Sequence, residues 1–467
     1  MRKLSALFLL LCISFQILGQ KKYQVDFFIH NIEDTLLYVG NYIGSHQEII
    51  DSIKISKDGS FHWNSAPQPL GMYMMKNSQQ RDMFSFVLGK SDKFSIEIYD
   101  SGEAFVKGCA ENDAYLLYQF EHSKYQKAMY YYRLEAQAHP ELQDSLYKAL
   151  EPVLDSFKSF QTSFFELYPE NLITVVSKSL IQNVPSYFIE NGQVKQGMEK
   201  DYAYYYRTHY WDSFRFDDSR ILYTPYFIKK FNSYIMDATV QDADSVSVAI
   251  DDFVRVANAR NGREYADYVL YWYLERLPDF PFSFNELVYK HIMETYGSYL
   301  ERFLTPGDIE LQREYLSRIE KFLPGKIMPN IVAKDVDGKP QTLYAQKHRF
   351  TVLFFFAATC ESCKKNLDVL LDLYKLNKDY YDFEIFAVDI DPDVEISKAR
   401  QRSNIGFPWV VTFADASSLS EYGFILDHTP ELYILDKDKR ILNKTAIYNH
   451  VEQTMDAAMR KIQSSQQ

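Results

Sequence analysis

Cysteine is scarce in this chain: Cys12, Cys109, Cys360 and Cys363 are the four in 467 residues. So few thiols exclude the disulfide framework of a small secreted scaffold. Basic charge is also in deficit. There are 51 Lys and Arg against 63 Asp and Glu, a net charge of −12. That argues against nucleic acid or an anionic membrane surface as the main partner. Past the first twenty residues, no apolar run is long enough to span a membrane. Residues 111–323 contain no HExxH, no P-loop, no GxGxxG and no repeat of fixed period. What the chain has in quantity is aromatic, with 37 Tyr and 34 Phe. Large aromatic cores account for that; composition alone does not show a carbohydrate- or peptide-binding groove.

The length implies two to four domains. Arg2 and Lys3 precede an apolar run from Ser5 to Leu18, and polar Gln20-Lys21-Lys22 follows. Charge, length and flanks predict a secretory signal peptide over 1–20. Cys12 falls inside it among neighbours that do not suit a lipobox. Residues 21–110 alternate in the strand manner. Tyr23, Val25, Phe27 and Ile29 share a face, Asp58-Gly59 marks a tight turn, and Phe94, Ile96 and Ile98 continue the pattern, predicting a β-sandwich-like domain. His30, His46 and His62 are scattered singly and read as surface or hydrogen-bonded residues. Cys109 reads as a half-buried structural thiol.

From 111 to 323 the period turns helical. Leu142, Leu146, Leu150, Val153, Phe157, Phe160 and Phe164 form an apolar stripe at spacings of three and four. Further helices are predicted near 112–137, 219–238, 245–258, 262–276 and 283–303. The clusters Tyr204–Tyr206 and Tyr268–Tyr273 read as core packing, with a ligand groove as the sharper alternative.

Leu323-Pro324-Gly325-Lys326 breaks the helical pattern. After it, over 326–467, the elements alternate as βαβ and then ββα. A hairpin is predicted around Asp337-Gly338. The stretch TVLFFFAATCESCKK, Thr351–Lys365, runs from a fully apolar strand (351–357) into Cys360-Glu361-Ser362-Cys363 and a helix (361–378). Further strands are predicted at 383–389, 409–413, 431–436 and 440–446, with helices near 393–403 and at 450–463. A CxxC at a strand-to-helix junction brings two sulfurs together across one turn. The N–H groups at the helix start stabilise a thiolate on the first. Half a zinc site is the competing reading, but no second ligand pair is visible.

Several residues together resemble the TlpA/ResA-type thioredoxin-like oxidoreductases of the bacterial cell envelope. They are Pro329 with the Asp337-Gly338-Lys339 hairpin, FFFAATCESCKKNL (354–367), FAVDID (386–391) and HTPELYILDKDKRIL (428–442). The whole arrangement, with β-rich and helical modules of unknown function before the redox domain, is similar to a multidomain form common in Bacteroidota. Thr359 stands where thioredoxins usually carry Trp. Phe354 replaces the buried acid of cytosolic thioredoxins, and Glu-Ser replaces Gly-Pro between the cysteines.

The resemblance implies a multidomain protein with a C-terminal α/β thioredoxin fold that exchanges a dithiol and a disulfide at Cys360–Cys363. Cys360 would attack and Cys363 resolve. Thr359, Glu361 and Ser362 would tune the redox poise, Glu361 opposing ionisation and Lys364 and Lys365 offsetting it. Pro430 would be a cis-proline aiming the Thr429 backbone at an extended substrate; an ordinary trans proline opening an edge strand is the bland alternative. No metal or other cofactor is expected beyond the cysteine pair. The implied partners are cysteine-containing envelope proteins and a membrane thiol electron donor, and the implied place is the periplasm of a Gram-negative bacterium. The competing reading is a partner-binding scaffold with a redox-sensing or inactive thioredoxin-like domain. A peroxidase reading is weaker, because Cys360 lacks the Thr/Pro/Cys setting with a nearby Arg.

Overall fold

The computed structural model describes residues 21–44, 46–99, 103–190, 193–277, 283–357, 359–365, 367–391, 407–414, 416–424, 426 and 429–464. The signal peptide expected over 1–20 and the helix expected near 393–403 lie outside these residues. The chain divides into two compact units, Met1–Gln241 with Val248–Ala266 and Asp242–Ser247 with Asp267–Gln467.

The first unit opens with eight strands: β1 (Gln24–Ile29), β2 (Leu36–Ile43), β3 (His46–Lys54), β4 (Ser60–Asn64), β5 (Gly71–Lys76), β6 (Asp82–Leu88), β7 (Lys93–Ile98) and β8 (Ala104–Lys107). They form two four-stranded sheets, ordered β4-β1-β7-β8 and β3-β2-β5-β6. The alternation in β1 buries Val25, Phe27 and Ile29 and turns Gln24 and Asp26 outward. One core takes Val25, Phe27 and Ile96 from the first sheet and Val39, Tyr73 and Phe86 from the second, as a sandwich requires. The turn before β4 needs Gly59: its φ is +82°, and a Cβ there would collide with the carbonyl oxygen of Ile29.

Helices Ala110–Ala138 and Gln143–Leu167 follow. Tyr125 and Phe157 stack between them with ring centroids 4.6 Å apart. The apolar stripe is helical as read, yet only Leu150 and Phe164 of it are fully buried, and Leu142 is exposed. Pro152 sits inside the helix. Helix Leu172–Leu180 is short and nearly every residue is buried; Asn171 caps it by accepting from the Ile173 N–H at 3.0 Å. A two-residue pair, β9 (Ile189–Glu190) and β10 (Gln193–Val194), precedes helices Glu199–Thr208 and Tyr226–Asp237. Cys109 is fully buried rather than half-buried, because it ends the sandwich and opens the first long helix at once; Asn112 donates to its sulfur at 3.2 Å.

The second unit carries a seven-stranded sheet. Its members are β11 (Val332–Asp335), β12 (Pro340–Thr342), β13 (Phe350–Phe356), β14 (Phe383–Asp389), β15 (Val410–Phe413), β16 (Glu431–Asp436) and β17 (Ile441–Thr445), in the order β12-β11-β15-β14-β13-β16-β17. β13, β14 and β15 run parallel, and β16 and β17 close one side antiparallel. Every residue of β13 is buried, which explains its unbroken apolar sequence. Helices Leu367–Tyr381 and Asn449–Ser464 cover one face through Leu370, Leu373, Val451 and Met455. Phe322, Met328, Leu343, Leu419 and Phe424 cover the other.

Helices Ser283–Leu300 and Pro306–Ile319 belong to this unit too. Ser283 Oγ accepts from the Lys444 N–H at 2.7 Å, and Glu286 Oε1 accepts from Lys444 Nζ at 2.6 Å. Glu431, the first residue of β16, lies 3.4 Å from the same ammonium and accepts from Tyr433 Oη at 2.6 Å. Glu286 Oε2 and Glu431 Oε2 are buried without a hydrogen-bond partner. Among the described residues, no helix is long and apolar enough to cross a membrane.

Candidate functional site

β13 ends at Phe356, and the chain turns into the cysteine pair at the sheet's carboxyl edge, where open α/β sheets place their chemistry. Cys360 and Cys363 are joined as a disulfide with Cα atoms 5.3 Å apart. Their surroundings differ. Cys360 is half-buried at the rim, whereas Cys363 is 2% exposed and packs with Phe354, Phe356 and Leu370.

The helix expected over 361–378 is two helices. The first, Glu361–Lys364, is a single turn; Lys365 leaves helical geometry at ψ 122°, and the second helix runs Leu367–Tyr381. A single turn supplies little macrodipole. The local donor remains: the Cys363 N–H points to Cys360 Sγ at 3.1 Å, so Cys360 caps its own turn. The break also leaves the Cys363 carbonyl free to accept from Tyr448 Oη at 2.7 Å.

The Thr429–Pro430 peptide is cis. The Thr429 carbonyl oxygen lies 3.4 Å from Cys360 Sγ. Ser362 Oγ stands 3.0 Å from that carbonyl and 3.0 Å from Cys360 Sγ. Its one proton reaches either acceptor. Thr429, Pro430, Cys360 and Ser362 therefore meet at one point, although 67 residues separate Ser362 from Thr429 in sequence. Glu361 is turned to solvent and pairs with Lys364 at 2.9 Å.

Sequence reasoning missed Asp391. Thr359 donates to its Oδ2 through both the backbone N–H (3.1 Å) and the hydroxyl (2.7 Å). The Asp391 N–H in turn donates to Asp389 Oδ1 at 3.0 Å. Both carboxylates are buried. Asp389 ends β14 and Asp391 lies just beyond it, whereas β13 carries no acid. The signal was present: two aspartates closing an apolar parallel strand, FAVDID, mark the edge where ligands bind. Among the described residues, no three metal-ligating side chains gather.

A family model described as the AhpC/TSA family matches residues 324–444, and one described as a domain of unknown function (DUF5106) matches residues 194–298. The thiol-disulfide oxidoreductase ResA of Bacillus cereus is 29% identical over 135 residues, covering 29% of this chain and 76% of its own length. ResA of Bacillus anthracis is 26% identical over 153 residues, 32% of this chain and 86% of its own. Among solved structures, a thioredoxin-like protein from Bacteroides caccae aligns at 18% identity and a TM-score of 0.46, over 59% of this chain and 96% of that one.

Proposed function

We propose that the C-terminal domain, thioredoxin-like and related to the ResA thiol-disulfide oxidoreductases, reduces disulfides in cysteine-containing proteins of the cell envelope. The observation that carries this reading is the asymmetry of the pair: Cys360 reachable beside the Thr429 carbonyl, Cys363 enclosed behind it.

In the dithiol state the Cys360 thiolate attacks a substrate disulfide. One substrate sulfur leaves as a thiolate and a mixed disulfide forms. Cys363 then loses its proton and attacks Cys360 Sγ, and the second substrate sulfur leaves. The substrate gains two electrons, and the pair closes to the disulfide seen here. The Thr429 backbone offers an extended substrate segment a place to pair. A membrane thiol donor restores the dithiol.

The reducing direction is supported by the balance around Cys360. A strong oxidant needs a strongly stabilised thiolate. Here one N–H and one hydroxyl favour the thiolate. The Asp391 carboxylate, bound to the preceding residue, opposes it. Export rests on the charge and hydropathy of residues 1–20.

Two measurements test the reading. Equilibrating the protein in thiol/disulfide buffers, with alkylation and mass spectrometry, gives the potential of the pair. A value near the reducing end of the fold's range, roughly −270 mV, is expected, and one near roughly −120 mV would reverse the direction. A Cys363→Ser variant should accumulate mixed disulfides with envelope proteins through Cys360. A pair that never cycles sinks the enzyme reading.

A further inference from the structure

The outward face of the β4-β1-β7-β8 sheet is built differently from an ordinary solvated face. Its cross-strand registers place side chains in rows. One row runs His62, Asp26, Ser95 and Lys107 across all four strands. The next runs Ser60, Phe28, Glu97 and Phe105. A concavity of about 540 Å³ lies over these two rows. Beside them, His30 stacks on Tyr99 with centroids 4.1 Å apart. Phe28 meets His30 edge-on at 4.6 Å, and Phe105 meets Tyr99 at 5.8 Å. The result is a continuous strip of rings on the outside of the sandwich, with Phe105 58% exposed. Single exposed aromatics are ordinary; a joined strip beside a concavity is not.

The acids of this face are already held. Asp26 Oδ1 accepts from His62 Nδ1 at 2.5 Å. Glu97 Oε1 accepts from His30 Nε2 at 2.9 Å and from Tyr99 Oη at 2.8 Å. These bonds fix the carboxylates and use one oxygen of each. The bond from His30 holds Glu97 below its ordinary pKa, so the acceptor stays ionised.

We propose that this face is a binding site for a neutral oligosaccharide. Three observations select that chemistry. Asp26 and Glu97 are each hydrogen-bonded within the face and share it with Lys107, so the face presents no run of like charge for a polyanion or a polycation. β1 and β7 are interior strands with partners on both sides, so an added peptide strand could pair only at the outer edges of β4 or β8, in the plane of the sheet and not over this face. Recognition must therefore come from side chains. Exposed rings beside pre-aligned carboxylates suit a ligand with C–H faces and vicinal hydroxyls. The site would let the β domain hold the protein on glycan while the cysteine pair works, and its failure leaves the oxidoreductase reading untouched.

The test is affinity electrophoresis of the intact protein through gels containing xyloglucan, glucomannan, arabinogalactan, laminarin or dextran. Oligosaccharides from any retarding polymer would then be titrated by calorimetry. Retardation by at least one is expected, with Phe105→Ala and Asp26→Ala each weakening binding about tenfold. Both side chains are exposed, so melting temperatures should stay at the parent value, and a Cys360→Ser control should bind as the parent does. Retardation by none of the five overturns the proposal. So does binding that both variants retain, or binding that is abolished by salt.

Discussion

Lys444 on β17 donates across 2.6 Å to Glu286 on the Ser283–Leu300 helix, with both side chains sealed from solvent. Glu431, next to the cis-proline, faces the same ammonium. One cation thus serves two buried carboxylates. Burial lowers the Lys444 pKa, but the charges of Glu431 and Glu286 more than offset this, and it ends above its ordinary value.

Removing the cation should be costly. Lys444→Met leaves two carboxylates buried together without a partner and should destabilise the protein by roughly 3–5 kcal/mol. Replacing all three at once, with Glu286→Gln and Glu431→Gln, should recover much of that loss. Urea unfolding of the single and triple variants checks it; equal stabilities would show that the lysine does not hold the charges.

The same cluster sets a pH dependence. Burial raises the Glu286 pKa from 4.5 to about 7, with Lys444 pulling the other way. The folded protein therefore keeps a proton that the unfolded chain has already released. Stability contributed by this group is full below about pH 4.5, falls as pH rises through about 7, and then levels off. Unfolding midpoints measured across that window should fall with pH in the parent and fall less in Glu286→Gln. Identical profiles would remove Glu286 as the source.

Asp391 should act on Cys360 through Thr359. Asp391→Ala leaves the Thr359 N–H and hydroxyl without their acceptor. Loosening that turn should slow insulin-disulfide reduction, and loss of the negative charge should lower the Cys360 pKa. Asp391→Asn keeps an acceptor, so it should restore the rate while retaining the lowered pKa. If neither variant moves the pKa, the carboxylate is purely structural.

Ser362 has one proton and two acceptors. In the reduced protein the charged sulfur should be the stronger acceptor. Ser362→Ala should therefore raise the Cys360 pKa and make the pair more reducing. Thiolate absorbance against pH and the redox equilibrium read the two effects separately. An unchanged pKa would leave the hydroxyl on the Thr429 carbonyl in both states.

The sheet of the second unit was readable because its central strands β13 and β14 are largely apolar and its turns carry Asp-Gly and Asp-Lys signals. β14 and β16 begin and end where their sequences predict, at Phe383–Asp389 and Glu431–Asp436. Two kinds of feature escaped. Short helices escaped: Leu172–Leu180 has only 9 residues, too few turns to establish a helical period. Long-range partners escaped as well. Tyr448 reaches the Cys363 carbonyl across 85 residues, and Lys444 reaches Glu286 across 158. Local pattern carries no information about which distant side chain will satisfy an orphaned carbonyl or an enclosed charge. The break at Lys365 was hidden for the same reason, since the apolar spacing continues across it.

The Ser283–Leu300 helix lies almost wholly inside the stretch matched by the unknown-function family, which ends at residue 298, while the redox match begins at 324. Its first turn nevertheless supplies Ser283 and Glu286 to the last strand of the redox sheet. The seam between two recognised sequence families therefore does not coincide with a seam in the folded matter. A lineage that swapped the redox module at residue 324 would inherit a lysine with Glu431 still beside it but with Glu286 left behind in the donor gene.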